Sequence, residues 1–222
     1  MRKSKMGLVY ILPWLIGMVF LTLYPFINAL VISFTDYNLV REPNFIGLAN
    51  YTKLFHDEDF LGTLTATLKY TVITVPLQLA FALFIAYILN FKLKGINFFR
   101  TAYYIPSLLG GNVAVAVLWR FLFQQDGLIN RIIGVVGIQS VAWLSSPGGA
   151  MSVIIILKVW QFGSAMLIFL AALKDVPQDL YEAASVDGST KLHSFIHITM
   201  PLITPTIFFN LVMQLVNAFQ EF

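Results

Sequence analysis

The sequence predicts an all-α integral membrane protein, folded as a polytopic helical bundle with five membrane spans. Hydrophobic residues make up 58% of the 222 residues and charged residues only 11%, far below the roughly 25% that is usual in soluble domains. Five apolar runs are each long enough to cross a bilayer, which takes about 20 helical residues. The segments between these runs carry most of the charge, as expected for loops outside the membrane.

The five predicted spans form one domain, because the chain contains no internal repeat and no linker. The domain comprises residues 1–222, and its predicted spans are 6–34, 63–90, 101–123, 150–173 and 201–222. The first run is too long for the apolar part of a signal peptide and is not followed by a small-residue cleavage site, so we expect it to remain as a span. Pro13 and Pro25 are expected to bend it.

Lysine and arginine residues predict the orientation, because cytoplasmic loops of membrane proteins carry an excess of them. The predicted inner side holds Arg2, Lys3, Lys5, Lys92, Lys94, Arg100, Lys174 and Lys191, and the outer loops hold Arg41, Lys53 and Arg131. The N-terminus and residues 176–199 are therefore predicted to be cytoplasmic, and residues 35–62 and 124–149 to lie outside. In the first outer loop, a short helix in the membrane interface is predicted from the apolar residues Phe45, Leu48, Tyr51, Leu54 and Phe55.

Residues 176–199 predict a helix, a glycine turn and a second helix. Pro177 suits the first position of the first helix, and Gly188 suits the left-handed residue that follows its end. Ser189 can cap the second helix, which we expect to end before Pro201. A plain surface hairpin between two spans is the alternative to a functional loop.

The same segment resembles the cytoplasmic loop signature of binding-protein-dependent ABC importer permeases. That signature is EAA, three residues, Gly, nine residues, Ile, one residue and Leu-Pro, and the matching residues here are Glu182, Ala183, Ala184, Gly188, Ile198 and Pro201. Met200 departs from the usual Leu, which is a volume-conserving change. The strings SFTDYNL, FIGLANY and FRTAYYIPSLLGGNVAVAVLWRFLFQQDGLIN resemble the carbohydrate-uptake branch of the same family.

This resemblance implies a permease subunit of an importer for a sugar or a related polyol or glycerol-phosphate-like solute, in a bacterial-type cytoplasmic membrane. The loop would be the coupling helix that docks on an ATP-binding subunit, through Glu182, Ala183, Ala184, Asp187, Gly188 and Pro201. The implied partners are a second permease in a heterodimer, two ATP-binding subunits, an extracytoplasmic solute-binding protein and membrane lipid. Because the family core usually has six spans, we expect the chain to be truncated before the last one.

Polar residues inside two predicted spans are candidates for the solute pathway, because polar groups in hydrocarbon usually face a bundle interior or a cavity. Asn210, Gln214, Asn217 and Glu221 share one face of the fifth span, and Lys158 and Gln161 lie three residues apart in the fourth. Hydrogen bonding between helices without solute contact is the alternative. Lys158 and Glu221 have comparable predicted depth and could form an ion pair, or each could extend separately to the outer surface.

Other classes of function receive less support. No phosphate-binding loop is present, so the chain is not expected to be an enzyme, and ATP and Mg²⁺ are expected in the partner subunits. Cysteine is absent and no metal site is predicted, because solvated or partner-facing histidines are favoured over a metal pair at His193 and His197. The small net charge of +3 does not favour nucleic acid as a partner. The alternatives to an importer are a secondary transporter or a membrane-embedded lipid-processing enzyme.

Overall fold

The computed structural model describes residues 6–91 and 94–221, and their regular structure is helical. The α-helices are α1 Met6–Met18, α2 Tyr24–Ile32, α3 Ala49–Phe55, α4 Glu58–Leu89, α5 Ile96–Leu109, α6 Val113–Phe123, α7 Leu128–Val135, α8 Pro147–Trp160, α9 Gly163–Asp175, α10 Gln178–Val186, α11 Lys191–Ser194 and α12 Met200–Phe219. The chain divides into two compact units, Met1–Thr65 and Ala66–Phe222. Four of the basic residues used to predict the orientation, Arg2, Lys3, Lys5 and Lys92, lie outside the described residues, as does Phe222 at the end of the fifth predicted span.

Within the described residues, four helical segments are long and apolar enough to cross a membrane, and the number rises to five if one sharply bent pair of helices counts as one span. The four are Val9–Ile32, Glu58–Leu89, Pro147–Asp175 and Lys191–Phe219. They correspond to the first, second, fourth and fifth predicted spans. The bent pair corresponds to the third, so the all-helical membrane fold is confirmed with an approximate number of spans.

In the first unit, the segment after α2 is ordered by contacts around Phe34. The Phe34 ring lies 5.5 Å from the ring of Tyr51 in α3 and 6.5 Å from the ring of Phe45. The predicted short helix is therefore present as α3, but Phe45 and Leu48 precede it. Nearby, the carboxylate of Asp36 accepts hydrogen bonds from the backbone amide and the side-chain amide of Asn44, and these bonds lower the pKa of Asp36.

Helix α4 begins at Glu58, five residues before the predicted start of the second span at Thr63. The Asp57 carboxylate accepts hydrogen bonds from the backbone amides of Asp59 and Phe60, at 2.9 and 3.3 Å, which satisfies two amides of the first helical turn. Acidic residues that were assigned to the first outer loop thus lie at the start of α4, where negative charge is favourable.

The second unit is a bundle with a core formed by one face of α4 packed with residues of α9 and α12. The α4 side of the core recurs at helical spacing, with Tyr70, Val75, Leu79, Ala82, Ile85, Ala86 and Leu89 buried. From α9 come Ala165, Met166, Phe169, Leu170 and Leu173, and from α12 Ile203 and Ala218. Arg100 of α5 donates to the carbonyl oxygen of Leu89 at 2.8 Å, so a cation lies at the C-terminal end of α4.

The third predicted span, 101–123, is not one helix. Helix α5 ends at Leu109 and α6 begins at Val113, and the direction of α5 differs by 99° from that of the helical stretch Val113–Val135. Asn112, which falls inside the predicted span, caps α6, because its side-chain oxygen accepts a hydrogen bond from the Ala114 amide at 2.9 Å. The Gly110-Gly111-Asn112 sequence therefore terminates one helix and starts the next.

The fourth span is interrupted at Gln161 and Phe162, between α8 and α9. Phe162 is only 3% exposed, and its ring lies 4.8 Å from the ring of Phe81 and 5.8 Å from that of Tyr103. These contacts hold the interruption inside the bundle.

Two of the proline residues are accommodated by widening a helix rather than by ending it. A π-helical segment, Val19–Leu23, lies just before Pro25, and a second, Phe195–Thr199, lies just before Pro201. Proline has no amide hydrogen and its ring crowds the carbonyl four residues earlier, so a turn closed over five residues relieves both problems. The expectation that the second hairpin helix ends before Pro201 is therefore wrong: the helix runs without a break from Lys191 to Phe219.

Gly163 provides the first test, because it lies where α5 and α9 approach most closely. A β-carbon at this position would lie 2.5 Å from the Tyr103 carbonyl oxygen and 2.7 Å from Ser107 Oγ. We expect Gly163→Ala to destabilise the purified protein by roughly 1–3 kcal/mol, the usual range for overpacking, because backbone atoms must move. Thermal unfolding in detergent would measure this effect.

Gly62→Ala is the matched control, since Gly62 is also helical but a β-carbon there would have no neighbour within 4 Å. It should leave the unfolding temperature unchanged or raise it slightly. Equal unfolding temperatures for the two variants would contradict the close approach of α5 and α9.

Candidate functional site

A polar cavity of about 370 Å³ lies inside the second unit, beside the interruption of the fourth span. It is formed by residues of α4, α5, the α8–α9 junction and α12. The lining residues are Gln78, Ser107, Lys158, Gln161, Ser164, Gln214, Asn217, Gln220 and Glu221. All of these side chains are polar or charged, in segments that are otherwise strongly apolar.

Lys158 and Glu221 form an ion pair at one side of this cavity, with Lys158 Nζ 2.6 Å from Glu221 Oε2. The two side chains are 27% and 35% exposed, so water screens part of their attraction. Pairing reduces the cost of placing each charge inside an apolar bundle. The structure therefore contains the pair that the comparable depths of the two residues suggested.

The backbone of the interrupted span is satisfied by side chains from two other helices. The Gln161 carbonyl oxygen accepts hydrogen bonds from Ser107 Oγ at 3.1 Å and from Gln78 Nε2 at 3.4 Å. Ser107 Oγ in turn accepts a hydrogen bond from the Ser164 amide in the first turn of α9, at 3.0 Å. One serine thus satisfies groups on both sides of the break.

The side chain of Gln161 lies over the break in the third span. A β-carbon at Gly110 would come within 2.5 Å of Gln161 Oε1 and 2.7 Å of Gln161 Cδ, so only glycine leaves room for this side chain without a shift. Gln161 Nε2 is a buried donor with no hydrogen-bond partner in the described residues. An unpaired buried donor beside a polar cavity is the kind of group that an ordered water commonly satisfies.

The structure assembles five of the six predicted pathway residues in one place: Lys158, Gln161, Gln214, Asn217 and Glu221. Asn210 does not line the cavity. It is 2% exposed, and its side-chain amide donates to the Thr206 carbonyl oxygen one turn earlier in its own helix.

Sequence reasoning missed four lining residues, Gln78, Ser107, Ser164 and Gln220. Gln78 carried a usable signal, because it is an isolated amide in the middle of an apolar span. Ser107 and Ser164 carried little signal, since serine is common in membrane helices and their role depends on a break in another span.

Residues 176–199 form the predicted helix, glycine turn and second helix. Gly188 has a φ of +75°, in the left-handed region, and its amide donates to the Ser185 carbonyl oxygen. The Ser189 amide donates to the Ala184 carbonyl oxygen at 2.9 Å, which completes a Schellman ending of α10. The cap of the second helix is Thr190 rather than Ser189, because the Thr190 hydroxyl accepts from the His193 amide.

The six predicted coupling residues lie on the hairpin and at the start of α12. Glu182, Ala183, Asp187, Gly188 and Pro201 are exposed, and Ala184 is half-buried. Glu182 forms no salt bridge within the described ranges, 6–91 and 94–221. His193 and His197 are exposed with stacked rings 3.9 Å apart, and the described part of the chain contains no group of three metal-binding side chains.

Comparisons with known proteins agree with the resemblance seen in the sequence. Residues 78–222 match the family described as "Binding-protein-dependent transport system inner membrane component". The chain is 48% identical to the probable ABC transporter permease protein YesP of Bacillus subtilis (strain 168), over all of this chain and 72% of that protein. It is 33% identical to the probable starch degradation products transport system permease protein AmyD of Thermoanaerobacterium thermosulfurigenes, over 96% of this chain and 73% of that protein.

A solved structure shares the fold. The structure is a bacterial alginate ABC transporter in complex with an alginate pentasaccharide-bound periplasmic protein, and one of its chains superposes with a TM-score of 0.80 at 25% identity. The match covers 94% of this chain and 70% of that one. The family and the fold are thus supported by separate comparisons, and the prediction that the chain is not an enzyme is confirmed, because its relatives are transport permeases.

The ion pair can be tested by exchanging its charges. Lys158→Glu or Glu221→Lys alone places two like charges together and should lower stability, whereas the double exchange should restore it. Because each single exchange also adds repulsion between like charges, we expect a coupling energy in the double-mutant cycle above the roughly 0.5–1 kcal/mol of a partly exposed pair. Thermal unfolding in detergent would supply the four values, and additive effects would show that the two residues do not interact.

Proposed function

Because the chain belongs to the family of binding-protein-dependent inner membrane transport components, we propose that it forms half of the translocation pathway of an ATP-driven carbohydrate importer. The observation that carries this proposal is the polar cavity at the interrupted fourth span. The solute is a sugar or a related polyol or glycerol-phosphate-like molecule. Family membership decides against the secondary transporter and the lipid-processing enzyme.

The chemistry of the cavity suits a solute that carries many hydroxyl groups. Gln78, Gln161, Gln214, Asn217 and Gln220 offer amides that both donate and accept hydrogen bonds. Lys158 and Glu221 add one charged donor and one charged acceptor, which give stronger hydrogen bonds than neutral groups. A volume of about 370 Å³ is in the range of small-molecule sites.

The hairpin at residues 176–199 is proposed to couple the chain to an ATP-binding subunit. In support, α10 has no buried residue, and Glu182, Ala183 and Asp187 are exposed. The Schellman turn at Gly188 fixes the angle between the two hairpin arms, and the second arm continues directly into the fifth span. A partner that moves α10 would therefore act on a helix that also lines the cavity.

The other parts of the assembly are proposed from the family. They are a second permease in a heterodimer, two ATP-binding subunits that hold ATP and Mg²⁺, and an extracytoplasmic solute-binding protein. The single-domain arrangement and the cytoplasmic N-terminus remain proposals. They rest on the spacing of apolar helices and on the distribution of basic residues.

Two single cysteines test the orientation in this cysteine-free chain. Val40 and Val186 are 87% and 89% exposed, so thiols at these positions are equally accessible where water reaches them. In intact cells, an impermeant thiol reagent should label Val40→Cys and should label Val186→Cys only after the membrane is permeabilised. Labelling of Val186→Cys from outside would overturn both the orientation and the coupling assignment.

Gly188 provides the test of coupling. In the complete transporter, Gly188→Leu should reduce binding-protein-dependent sugar uptake, because a branched side chain in the left-handed region costs roughly 1–2 kcal/mol and shifts the two hairpin arms. A β-carbon there would meet no atom within 4 Å, so backbone strain and not a clash is the cause.

Gly188→Asn is the matched control, since asparagine tolerates the left-handed conformation better than other residues and should retain most uptake. Copurification of the ATP-binding subunits would report docking separately from insertion. Wild-type uptake by a well-expressed Gly188→Leu transporter would contradict coupling through this turn.

A further inference from the structure

We infer that the hydrogen bond between Tyr181 and Thr199 positions the first arm of the hairpin on the fifth span and transmits the movement of that arm to the helix. The Tyr181 hydroxyl lies 2.6 Å from the Thr199 hydroxyl. This inference rests on the proposed function, because it requires α10 to be the element on which an ATP-binding subunit acts. It assigns a positioning role to two residues outside the predicted coupling set.

Helix α10 needs such an attachment, because its own surface provides little packing. No residue of α10 is buried. Beside it lies a cavity of about 550 Å³, whose lining includes Tyr181, Thr199 and Tyr87 of α4. A helix that borders a cavity of this size could tilt without moving the span behind it, unless a specific bond joins the two.

Thr199 is a suitable anchor for this bond. It is 2% exposed, so its hydroxyl has little access to water and gains from a partner within the protein. It is also the last residue of the π-helical segment Phe195–Thr199, and such segments often occur at functional sites. The bond therefore joins the exposed arm to the most unusual backbone segment of the span.

Two further contacts hold this π-helical segment and the turn before it. The ring of Phe195 lies 4.9 Å from the ring of Tyr87 in α4, and the Ser194 hydroxyl lies 3.1 Å from the hydroxyl of Ser189 in the turn. Neither contact involves α10. Among the described residues, the bond between Tyr181 and Thr199 is the one side-chain hydrogen bond that joins α10 to the span.

The fifth span gives this bond a route to the cavity. The helix continues without a break from the π-helical segment to Phe219, and Gln214 and Asn217 lie on it. At about 1.5 Å per residue, Asn217 is roughly 27 Å from Thr199 along the axis. A displacement of α10 that reaches Thr199 is passed along this helix to the groups that line the cavity.

The test removes the hydroxyl and keeps the ring. In the complete transporter, Tyr181→Phe should reduce the sugar transported per ATP hydrolysed by roughly three- to tenfold, the range expected from the loss of one hydrogen bond. Subunit assembly and basal ATP hydrolysis should stay normal, which a general folding defect would not allow. Thr199→Val should have the same effect, Thr199→Ser should retain coupling, and Tyr181→Phe combined with Thr199→Val should be no worse than either change alone.

Tyr87→Phe is the matched control, because it removes another tyrosine hydroxyl from the lining of the same cavity. It should leave the ratio of sugar to ATP unchanged. A normal ratio for Tyr181→Phe, with Gly188→Leu still impaired, would overturn this inference alone. If Gly188→Leu also had no effect, or if the wild-type complex showed no binding-protein-dependent uptake, the proposed function itself would be overturned.

Discussion

The backbone carbonyl of Gln161 is the group around which the bundle of the second unit is arranged. Inside a membrane, an unsatisfied backbone polar group costs several kcal/mol, so a helix can be interrupted there only where other groups supply hydrogen bonds. Gln78 and Ser107 supply them from α4 and α5. Gly163 lets α5 come close enough for Ser107 to reach both ends of the interruption. Three helices are thereby fixed relative to one another by a single break.

The same requirement explains why a polar cavity exists in so apolar a chain. The side chains that satisfy the break must be polar, and they must lie at membrane depth, where few other residues are polar. Once Gln78, Ser107 and Gln161 are assembled, the charged pair of Lys158 and Glu221 can lie beside them in a wet environment. Structural support for the backbone and the proposed binding of a hydroxyl-bearing solute therefore draw on one set of groups.

The sequence predicted the helical class, the regions of the spans and most of the cavity, because each depends on local pattern. Apolar length marks a span, and a polar stripe at spacings of three and four marks a face, which is why Gln214, Asn217 and Glu221 were found together. The turn at Gly188 was predicted because it depends on local backbone conformation alone, and the left-handed φ at this position favours glycine. Asn210 was predicted with them but does not line the cavity, because its amide donates a hydrogen bond within its own helix. The spacing of polar residues does not distinguish such a bond from one to a partner across the bundle.

The features that the sequence did not predict depend on contacts between distant segments. The break at Gln161 follows no proline, and it is tolerated because Ser107, 54 residues earlier, lies opposite it. The opposite error was made at Pro201, which was predicted to follow the end of a helix. A π-helical turn accommodates this proline and keeps the hairpin arm continuous with the fifth span. Asn112 falls inside the third predicted span, but the bend between α5 and the following helices makes it a helix cap. In each case the local sequence is compatible with both structures, and tertiary packing determines which one forms.

The ion pair of Lys158 and Glu221 also bears on how the protein responds to the electric field across a membrane. Moving one elementary charge through the full field involves about 2.3 kcal/mol per 100 mV. A lysine and a glutamate held 2.6 Å apart carry no net charge, so the two contributions cancel when the helices that carry them shift together. Movement of this ion pair as a unit would consequently do almost no electrical work against the membrane potential, whereas either charge alone would respond to it.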